Sequence, residues 1–159
     1  MIYLGLGSNE GDRLKFLNKA LEAIEVDIGP IIIRSKFYKT KPWGYDKQNE
    51  FINMAIGVET KVPPQELLTK LKDIESKIGR IARSKWHERE IDIDILFYND
   101  IILSMNNLKI PHPYFARRNF VLKPLAEIAP DLKDPITKKD IKTLLRECKD
   151  GSYVTPLQV

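Results

Sequence analysis

The order of sequence patterns along this 159-residue chain predicts an α+β sandwich. Segments with β-branched residues or alternating polarity indicate strands, and segments with apolar residues three or four positions apart indicate helices. They follow one another as strand, helix, strand, strand, helix, strand, which is the β-α-β-β-α-β signature of a ferredoxin-like fold. We expect one domain over residues 1–159, with a hairpin and helices added after the sixth element.

Composition narrows the class of protein. The single cysteine, Cys148, cannot form an internal disulfide, and its place in a late helical segment favours packing over a nucleophilic role. No apolar run approaches the ~20 residues of a membrane span, and no basic-then-apolar signal opens the chain, so we expect a cytoplasmic protein without a membrane partner. The net charge of +4 is compatible with a nucleotide or a nucleic acid. A monomer is compatible with the sequence, which leaves the oligomeric state open.

The first unit contains a short buried strand over residues 2–6 and a turn over residues 7–12. A helix follows, with Asn9 or Asp12 as its cap. Its apolar positions are Leu14, Leu17, Leu21 and Ile24. The spacing of Gly5, Gly7 and Gly11 matches neither the Rossmann nor the Walker fingerprint, so a phosphate cradle here is the weaker interpretation.

The β-branched and aromatic content of residues 31–38 predicts a second strand. Residues 39–50 then form a long loop that contains Trp43 and Tyr45. Loops of about 12 residues are uncommon unless they bind something or are disordered. We therefore interpret this loop as a lid, and the alternative is that its aromatic rings only pack it down.

The third strand, residues 51–59, alternates between two different faces. Ile52, Met54, Ile56 and Val58 form the core face. The other face carries Phe51, Asn53, Ala55 and Gly57, and we expect it to lie outside the core, where a flat ligand could approach. Pro63-Pro64 opens the second helix, and Gly79 is placed to end it.

The sixth element contains the candidate metal-binding residues. In residues 86–97, alternation puts Asp92 and Asp94 on one face together with Glu90, and puts Ile91, Ile93 and Ile95 on the core face. Two carboxylates about 6.5 Å apart at Cα repel each other, which a divalent cation would relieve by accepting oxygen ligands from both. The alternative is a strand with one solvated face. Four cations precede the acids, as polyphosphate chemistry would need, namely Arg80, Arg83, Lys85 and Arg89.

Beyond that strand, Asn99-Asp100 is expected to turn the chain back into residues 101–103 as a hairpin. His112 stands between two prolines, and a lone histidine is more often structural than functional. Residues 138–149 predict a last short helix. Residues 151–159 carry no periodic pattern, which is compatible with a mobile tail.

Several segments together resemble one enzyme family. The most specific are Arg89-Glu90-Ile91-Asp92-Ile93-Asp94 and the later block of Pro111-His112-Pro113 through residues 118–122. The supporting segments are residues 3–9, 37–40, 51–53 and 79–80. They resemble 6-hydroxymethyl-7,8-dihydropterin pyrophosphokinase, a family of folate biosynthesis, from the first strand to about Leu132. Lys85-Trp86-His87-Glu88-Arg89 departs from the family's usual Arg-Trp-Gly-Pro-Arg.

The resemblance implies transfer of a diphosphate group from ATP to the pterin hydroxymethyl group, leaving AMP. Asp92 and Asp94 would hold two Mg²⁺ ions, and Arg80 and Arg89 would assist transfer at the phosphates. The residues implied on the ATP side are Glu75, Arg83, Arg89, His112 and Arg118. The residues implied around the pterin are Thr40, Trp43, Phe51, Asn53, Trp86 and Phe120.

Two other functions compete with this interpretation. Paired acids on a ferredoxin-like sheet also suit another metal-dependent nucleotidyl or phosphoryl transferase, and pterin dependence separates the two. A non-catalytic RNA-binding module is a different class, since such sheets also bind single strands through exposed aromatic rings. The chain lacks that module's aromatic signature, and acids on a central strand would repel a phosphate backbone, so we expect no nucleic-acid partner.

Overall fold

A computed structural model describes residues 1–42, 48–81 and 88–158. Within these ranges the chain forms four α-helices and eight strands. The helices are α1 (Arg13–Asp27), α2 (Pro64–Ile78), α3 (Asn119–Ile128) and α4 (Ile141–Glu147). The strands are β1 (Ile2–Ser8), β2 (Ile31–Arg34), β3 (Tyr38–Thr40), β4 (Phe51–Val58), β5 (Asp92–Tyr98), β6 (Leu103–Ser104), β7 (Lys109–Ile110) and β8 (Val154–Pro156).

An antiparallel sheet in the order β5-β1-β4-β3-β8 forms the centre of the fold, and β2 pairs with β4 beside β3. The first strand therefore lies between the strand of the paired acids and β4. This order, with α1 after β1 and α2 after β4, confirms the predicted ferredoxin-like α+β fold.

The main core lies between the sheet and helices α1 and α2. Strand alternation supplies one side of this core, and the confirmed core face of β4 is part of it. The strand residues in it include Leu4, Leu6, Ile52, Met54, Ile56, Ile91, Ile93 and Ile95. The helix residues include Leu17, Leu21, Ile24, Leu67, Leu71 and Ile74. Each fully buried aliphatic side chain contributes roughly 1.5–3 kcal/mol to stability.

A second core on the opposite face corrects one prediction. Ala55, on the face of β4 expected to stay outside the core, is buried with Leu122 and Leu125 of α3. Leu96 and Phe97 both point to this side, because the pairing of β5 with β1 shifts register between Tyr3 and Leu4. The face therefore stays open near Asn53, because α3 covers Ala55, and Met1, Tyr3 and Ile33 lie over Gly57.

The predicted strand over residues 31–38 is divided into β2 and β3, because the chain leaves the ladder around Ser35. The Ser35 N–H still donates to the Ala55 carbonyl at 2.9 Å, but the Ala55 N–H donates to the Ser35 hydroxyl at 3.0 Å and not to a backbone carbonyl. Beyond the break, Glu127 of α3 accepts hydrogen bonds from the Lys36 N–H and from the Tyr38 hydroxyl. A side chain 89 residues away thus fixes the break, and local strand propensity could not show it.

Three other expectations after β5 need correction. The chain does turn at Asn99-Asp100, but residues 101–103 do not pair back with β5, and the hairpin forms instead between β6, which begins at Leu103, and β7. The last helix begins at Ile141, because the Asp140 side chain caps it by accepting the Thr143 N–H at 2.9 Å. The C-terminal stretch is not irregular throughout, since β8 pairs with β3.

The helix ends agree with the sequence analysis where caps were named. Asp12, one of the two named candidates, caps α1 by accepting the Lys15 N–H at 3.2 Å. Gly79 ends α2 in the left-handed conformation, with φ of 117°, and its N–H bonds the carbonyl of Glu75. In the described ranges no helix is long and apolar enough to cross a membrane.

Candidate active site

Two clefts meet at Asp92 and Asp94. The first cleft encloses about 660 Å³, including its open mouth, between β1, β4 and α3. The second cleft encloses about 900 Å³, again including its mouth, between α2, β5 and the β6–β7 hairpin. Both aspartates line both clefts, so the pair forms a wall that the clefts share.

Two glycines of β1 form the floor of the first cleft. Gly7 pairs with Asp92 on one side and with Asn53 on the other, and Gly5 pairs with Asp94. A Cβ on Gly7 would lie 2.3 Å from the Asn53 Oδ1 atom, so a side chain at this position would displace the Asn53 amide. Gly7 was expected in a turn, but β1 continues through it, and its missing side chain opens the space between Asn53 and the acids.

The predicted pterin residues that the structure describes all line the first cleft. Asn53 Nδ2 donates to the Thr40 hydroxyl at 2.7 Å, which fixes the amide in a buried position. The rings of Phe51 and Phe120 are half-buried and come from β4 and α3. The structure therefore brings together two rings and a polar edge from three elements. Trp43 and Trp86 lie outside the described residues.

A network of charged hydrogen bonds holds Asp92. Arg80 Nη1 donates to Asp92 Oδ1 at 3.3 Å, and Arg89 Nη1 donates to Asp92 Oδ2 at 3.3 Å. Arg80 also donates to Glu75 Oε1 at 2.8 Å, and the other oxygen of Glu75 accepts the Ile93 N–H at 2.7 Å. Glu75 is thus a buried support for both Arg80 and the backbone of β5. Arg83, the other predicted arginine of this loop, lies outside the described residues.

Glu90 was expected beside the two aspartates, and the structure places it ahead of β5. The strand begins at Asp92, and the Glu90 side chain is buried. Its carboxylate accepts the Ile81 N–H at 3.0 Å. The alternation of acids in the sequence therefore begins two residues before the strand itself.

Crowding of acids raises the pKa values of two carboxyl groups. The protein atoms around Asp94 desolvate its carboxylate and raise its pKa well above the usual range, although the side chain is 40% exposed, and the neighbouring charge of Asp92 raises the pKa further. Burial and the charge of Asp92 likewise raise the pKa of Glu75 to about 7, against the opposing effect of Arg80. Arg118 and Arg89 act in the opposite direction on Asp94, but their charges do not cancel this increase.

His112 faces Asp94 from the second cleft. Its Nε2 atom lies 4.0 Å from Asp94 Oδ2, and its Nδ1 atom accepts the Tyr114 N–H at 3.2 Å. Burial lowers the pKa of His112 to about 4, and the nearby charge of Arg118 contributes. At neutral pH the ring is therefore uncharged, and the bond at Nδ1 leaves the proton on Nε2.

Arg118, implied on the ATP side, lines the first cleft and not the second. Its side chain is buried, and the Cζ atom lies 5.6 Å from the centre of the Phe120 ring. Arg89 likewise lines the first cleft. Both arginines therefore stand on the first-cleft side of the shared wall, where they still act electrostatically on the aspartates.

The donor set at the shared wall fits a hard divalent cation. Asp92 and Asp94 offer carboxylate oxygens on one face, and the Asp94 side chain is 40% exposed to the clefts. Across the described ranges no group of three or more histidine, cysteine or acidic side chains is arranged to enclose a metal ion. Mg²⁺ is usually bound by one or two carboxylates, with substrate phosphates and water completing the shell, so two aspartates suffice.

Asn9 is a site residue that sequence reasoning treated only as a possible helix cap. Its side chain is fully buried, and Oδ1 accepts the Arg89 N–H at 2.8 Å. Nδ2 donates to the side chain of Gln48 at 2.7 Å and to the carbonyl of Asn49 at 3.1 Å. Asn9 thus links the end of β1 to residues 48–49 and to Arg89. Its position directly after a strand was the one available signal.

Paired acids between two clefts, with two arginines bonded to one of them, are typical of enzymes that transfer phosphate groups. The family model of 7,8-dihydro-6-hydroxymethylpterin-pyrophosphokinase (HPPK) matches residues 3–130. The chain therefore belongs to the HPPK family.

Individual proteins that are similar to this chain carry the name of the same enzyme family. A 2-amino-4-hydroxy-6-hydroxymethyldihydropteridine pyrophosphokinase of Aquifex aeolicus is 45% identical over 143 residues, which are 89% of this chain and 88% of that protein. The protein of the same name in Bacillus subtilis is 37% identical over 139 residues, 87% of this chain and 83% of the relative. The fold also matches wild-type Plasmodium falciparum HPPK-DHPS with pterin and p-hydroxybenzoate. The TM-score is 0.77 at 22% identity, over 92% of this chain and 41% of that one.

The raised pKa of Glu75 predicts a pH-dependent contribution to stability. The folded-state value of about 7 exceeds the ordinary 4.5, so the contribution of Glu75 is full below about pH 4.5 and is lost as the pH rises to about 7. Glu75→Gln lacks this titration. Its free energy of unfolding, minus that of the wild type, should therefore increase over this range, as measured by urea unfolding at a series of pH values.

The matched control is Glu66→Gln, at an exposed position on the same helix. Its difference from the wild type should stay flat over the same pH range. A flat or decreasing difference for Glu75→Gln would contradict the assigned direction of the shift.

Proposed function

We propose that this chain transfers a diphosphate group from ATP to the hydroxymethyl group of 6-hydroxymethyl-7,8-dihydropterin, releasing AMP, and that the reaction requires Mg²⁺. Membership of the HPPK family supports the acceptor, the transferred group and a place in folate biosynthesis. The observation that carries the site assignment is the shared wall, because a reaction between two bound substrates needs two clefts that meet at the reacting groups.

The first cleft suits the pterin. A flat heteroaromatic ring has two π faces and a polar edge, and it needs rings above and below with amide or hydroxyl groups beside it. Phe51 and Phe120 supply the rings, and the bonded pair of Asn53 and Thr40 supplies the polar edge. The bare backbone of Gly7 lets a ligand approach Asn53 closely.

The second cleft suits the nucleotide. Leu68 and Leu108 offer apolar surface for a base, and Lys72 and Lys109 offer cations for phosphates. His112 faces the same cleft, and its Nε2–H can donate to a phosphate oxygen while the ring remains uncharged. Because His112 Nε2 lies 4.0 Å from Asp94 Oδ2, a phosphate bound by His112 would lie next to the shared wall.

Asp92 and Asp94 would hold two Mg²⁺ ions at the wall. When bound, Mg²⁺ would screen the phosphate charges from the attacking hydroxyl and stabilise charge on the departing AMP oxygen. Arg80 and Arg89 each donate a hydrogen bond to Asp92, and their remaining N–H groups would contact phosphate oxygens. The hydroxyl oxygen attacks the β-phosphorus in line with the bond to AMP, so positioning and charge neutralisation carry the rate.

Three residues outside the described ranges complete the proposal. Arg83 would contact the nucleotide phosphates from the basic loop, and Trp43 and Trp86 would close over the pterin. These assignments rest on the resemblance in sequence alone. Asn9 adds a reason to expect coupling between the two loops, because it holds Gln48 after one of them and Arg89 after the other.

The proposal predicts ATP- and Mg²⁺-dependent AMP formation only when 6-hydroxymethyl-7,8-dihydropterin is present. Asp92→Ala and Asp94→Ala should each lower kcat by at least about a hundredfold, because each removes a metal ligand at the wall. Chromatographic measurement of AMP, with and without the pterin, provides the test. Asp100→Asn, at an exposed turn position, is the matched control and should keep wild-type activity.

Two outcomes would contradict this proposal. Turnover of ATP that does not depend on the pterin would indicate a different transferase. Full activity in either aspartate variant would show that this aspartate is not needed for transfer, whichever acceptor the enzyme uses.

A pair of glycine variants tests the pterin cleft. Gly7→Ala places a Cβ 2.3 Å from Asn53 Oδ1 and must displace the amide, whereas Gly5→Ala meets only the flexible Leu96 side chain at 3.4 Å. Loss of a hydrogen-bonding partner for the pterin should weaken its binding about tenfold in Gly7→Ala. Gly5→Ala, although also on the floor of the cleft, should weaken binding less than Gly7→Ala, because it displaces no hydrogen-bonding group. Isothermal titration with the pterin measures both, and equal affinities in the two variants would argue against the assigned pocket.

A further inference from the structure

The C-terminal segment 150–157, called here the C-terminal strap, lies beyond residues 3–130 matched by the family model. Its own residues do not line the first cleft, but they contact two of the elements that do, β3 and α3. Its strand, β8, forms the edge of the sheet next to β3, and the residues before that strand reach the start of α3.

The strap holds the start of α3 through its side chains and its backbone. Asp150 Oδ2 accepts the backbone N–H of Asn119, the first residue of the helix, at 3.0 Å. The N-cap residue of α3, Arg118, provides no side-chain cap, so Asp150 takes over that role. Asn119 Nδ2 donates to the Ser152 carbonyl at 3.0 Å, and Lys123 Nζ donates to the Val154 carbonyl at 2.9 Å. Phe120 follows Asn119 directly.

The strap also contacts β3 and the residue before β4, which are the other two elements that carry the predicted pterin residues. Val154 pairs with Thr40 in the β8–β3 ladder, and Val154 itself is buried. The Tyr153 hydroxyl donates to the carboxylate of Glu50, the residue before Phe51. One short segment therefore contacts the chain at or next to Thr40, Phe51 and Phe120.

The charge of Asp150 suits this role. Burial raises its pKa, but the hydrogen bonds from Ser152 and Asn119 and the charge of Lys41 outweigh that effect and hold the pKa below its ordinary value. The group is thus an anion at the positive end of the α3 dipole, which strengthens the capping contact.

We propose that the C-terminal strap is a positioning element for the pterin. By holding Thr40, Glu50 and Asn119 together, it fixes the spacing of the Phe51 and Phe120 rings and the place of the polar edge between them. The inference rests on the assignment of the first cleft to the pterin. Supporting contacts matter because a displacement of about 1 Å in a binding group can cost about a hundredfold in rate.

The test separates pterin binding from nucleotide binding. Asp150→Ala should raise the Kd for 6-hydroxymethyl-7,8-dihydropterin about tenfold, because the start of α3 loses a charged acceptor. The Kd for a non-hydrolysable ATP analogue should change less than about twofold, because the second cleft is untouched. Asp150→Asn keeps one acceptor oxygen and should recover part of the pterin affinity.

Thr155→Ala is the matched control, since Thr155 is exposed on the same strand and pairs with Lys39 through its backbone. Both Kd values should stay at wild-type levels in this variant. Tyr153→Phe removes only an exposed hydroxyl, so it should fold, and it should weaken pterin binding without changing nucleotide binding.

Three results would overturn the inference. In the first, Asp150→Ala and Tyr153→Phe lower the melting temperature while pterin binding stays at the wild-type level, which would make the strap a structural element only. In the second, pterin and nucleotide affinity fall together, which would indicate general loosening. In the third, the wild-type chain itself fails to bind the pterin, which would overturn the proposed function as well.

Discussion

Repulsion between the carboxylates of Asp92 and Asp94 is the constraint on which the site depends. Ile91, Ile93 and Ile95 anchor β5 in the core, so the two acids cannot turn away from each other. Of the two aspartates, Arg80 and Arg89 bond only Asp92, and the pKa of Asp94 is raised by desolvation and by the charge beside it. Core packing thus maintains an electrostatic cost that bound cations and a polyphosphate would relieve.

The same strand pairing that fixes the acids also divides the space around them. Gly7 on β1 lies between Asp92 and Asn53 in the sheet, and its lack of a side chain opens the first cleft on that face. The second cleft forms where α2 ends and the β6–β7 hairpin folds over β5. Two substrates in these clefts would meet at the aspartates without either one crossing the sheet. A phosphate-transfer enzyme needs this geometry, because most of its rate comes from positioning and charge neutralisation.

Alternation in the sequence was enough to predict the acid face, the core face and the order of the six main elements, because these depend on local periodicity. The fold beyond them depends on distant contacts. Glu127 fixes the break between β2 and β3 from α3, and β8 forms only because β3 offers an edge. Helix α3 was not assigned, since Pro124 lies inside it. The placements of Gly7 and Asn9 depend on partners 46 and 80 residues away, which periodicity does not contain.

The role of the shared wall can be tested most directly by anomalous X-ray diffraction. Crystals would be grown with Mn²⁺ in place of Mg²⁺, a non-hydrolysable ATP analogue and 6-hydroxymethyl-7,8-dihydropterin. We expect anomalous peaks at the carboxylate oxygens of Asp92 and Asp94, with the triphosphate in the second cleft and the pterin in the first. Peaks away from both carboxylates, or both ligands in one cleft, would contradict the account.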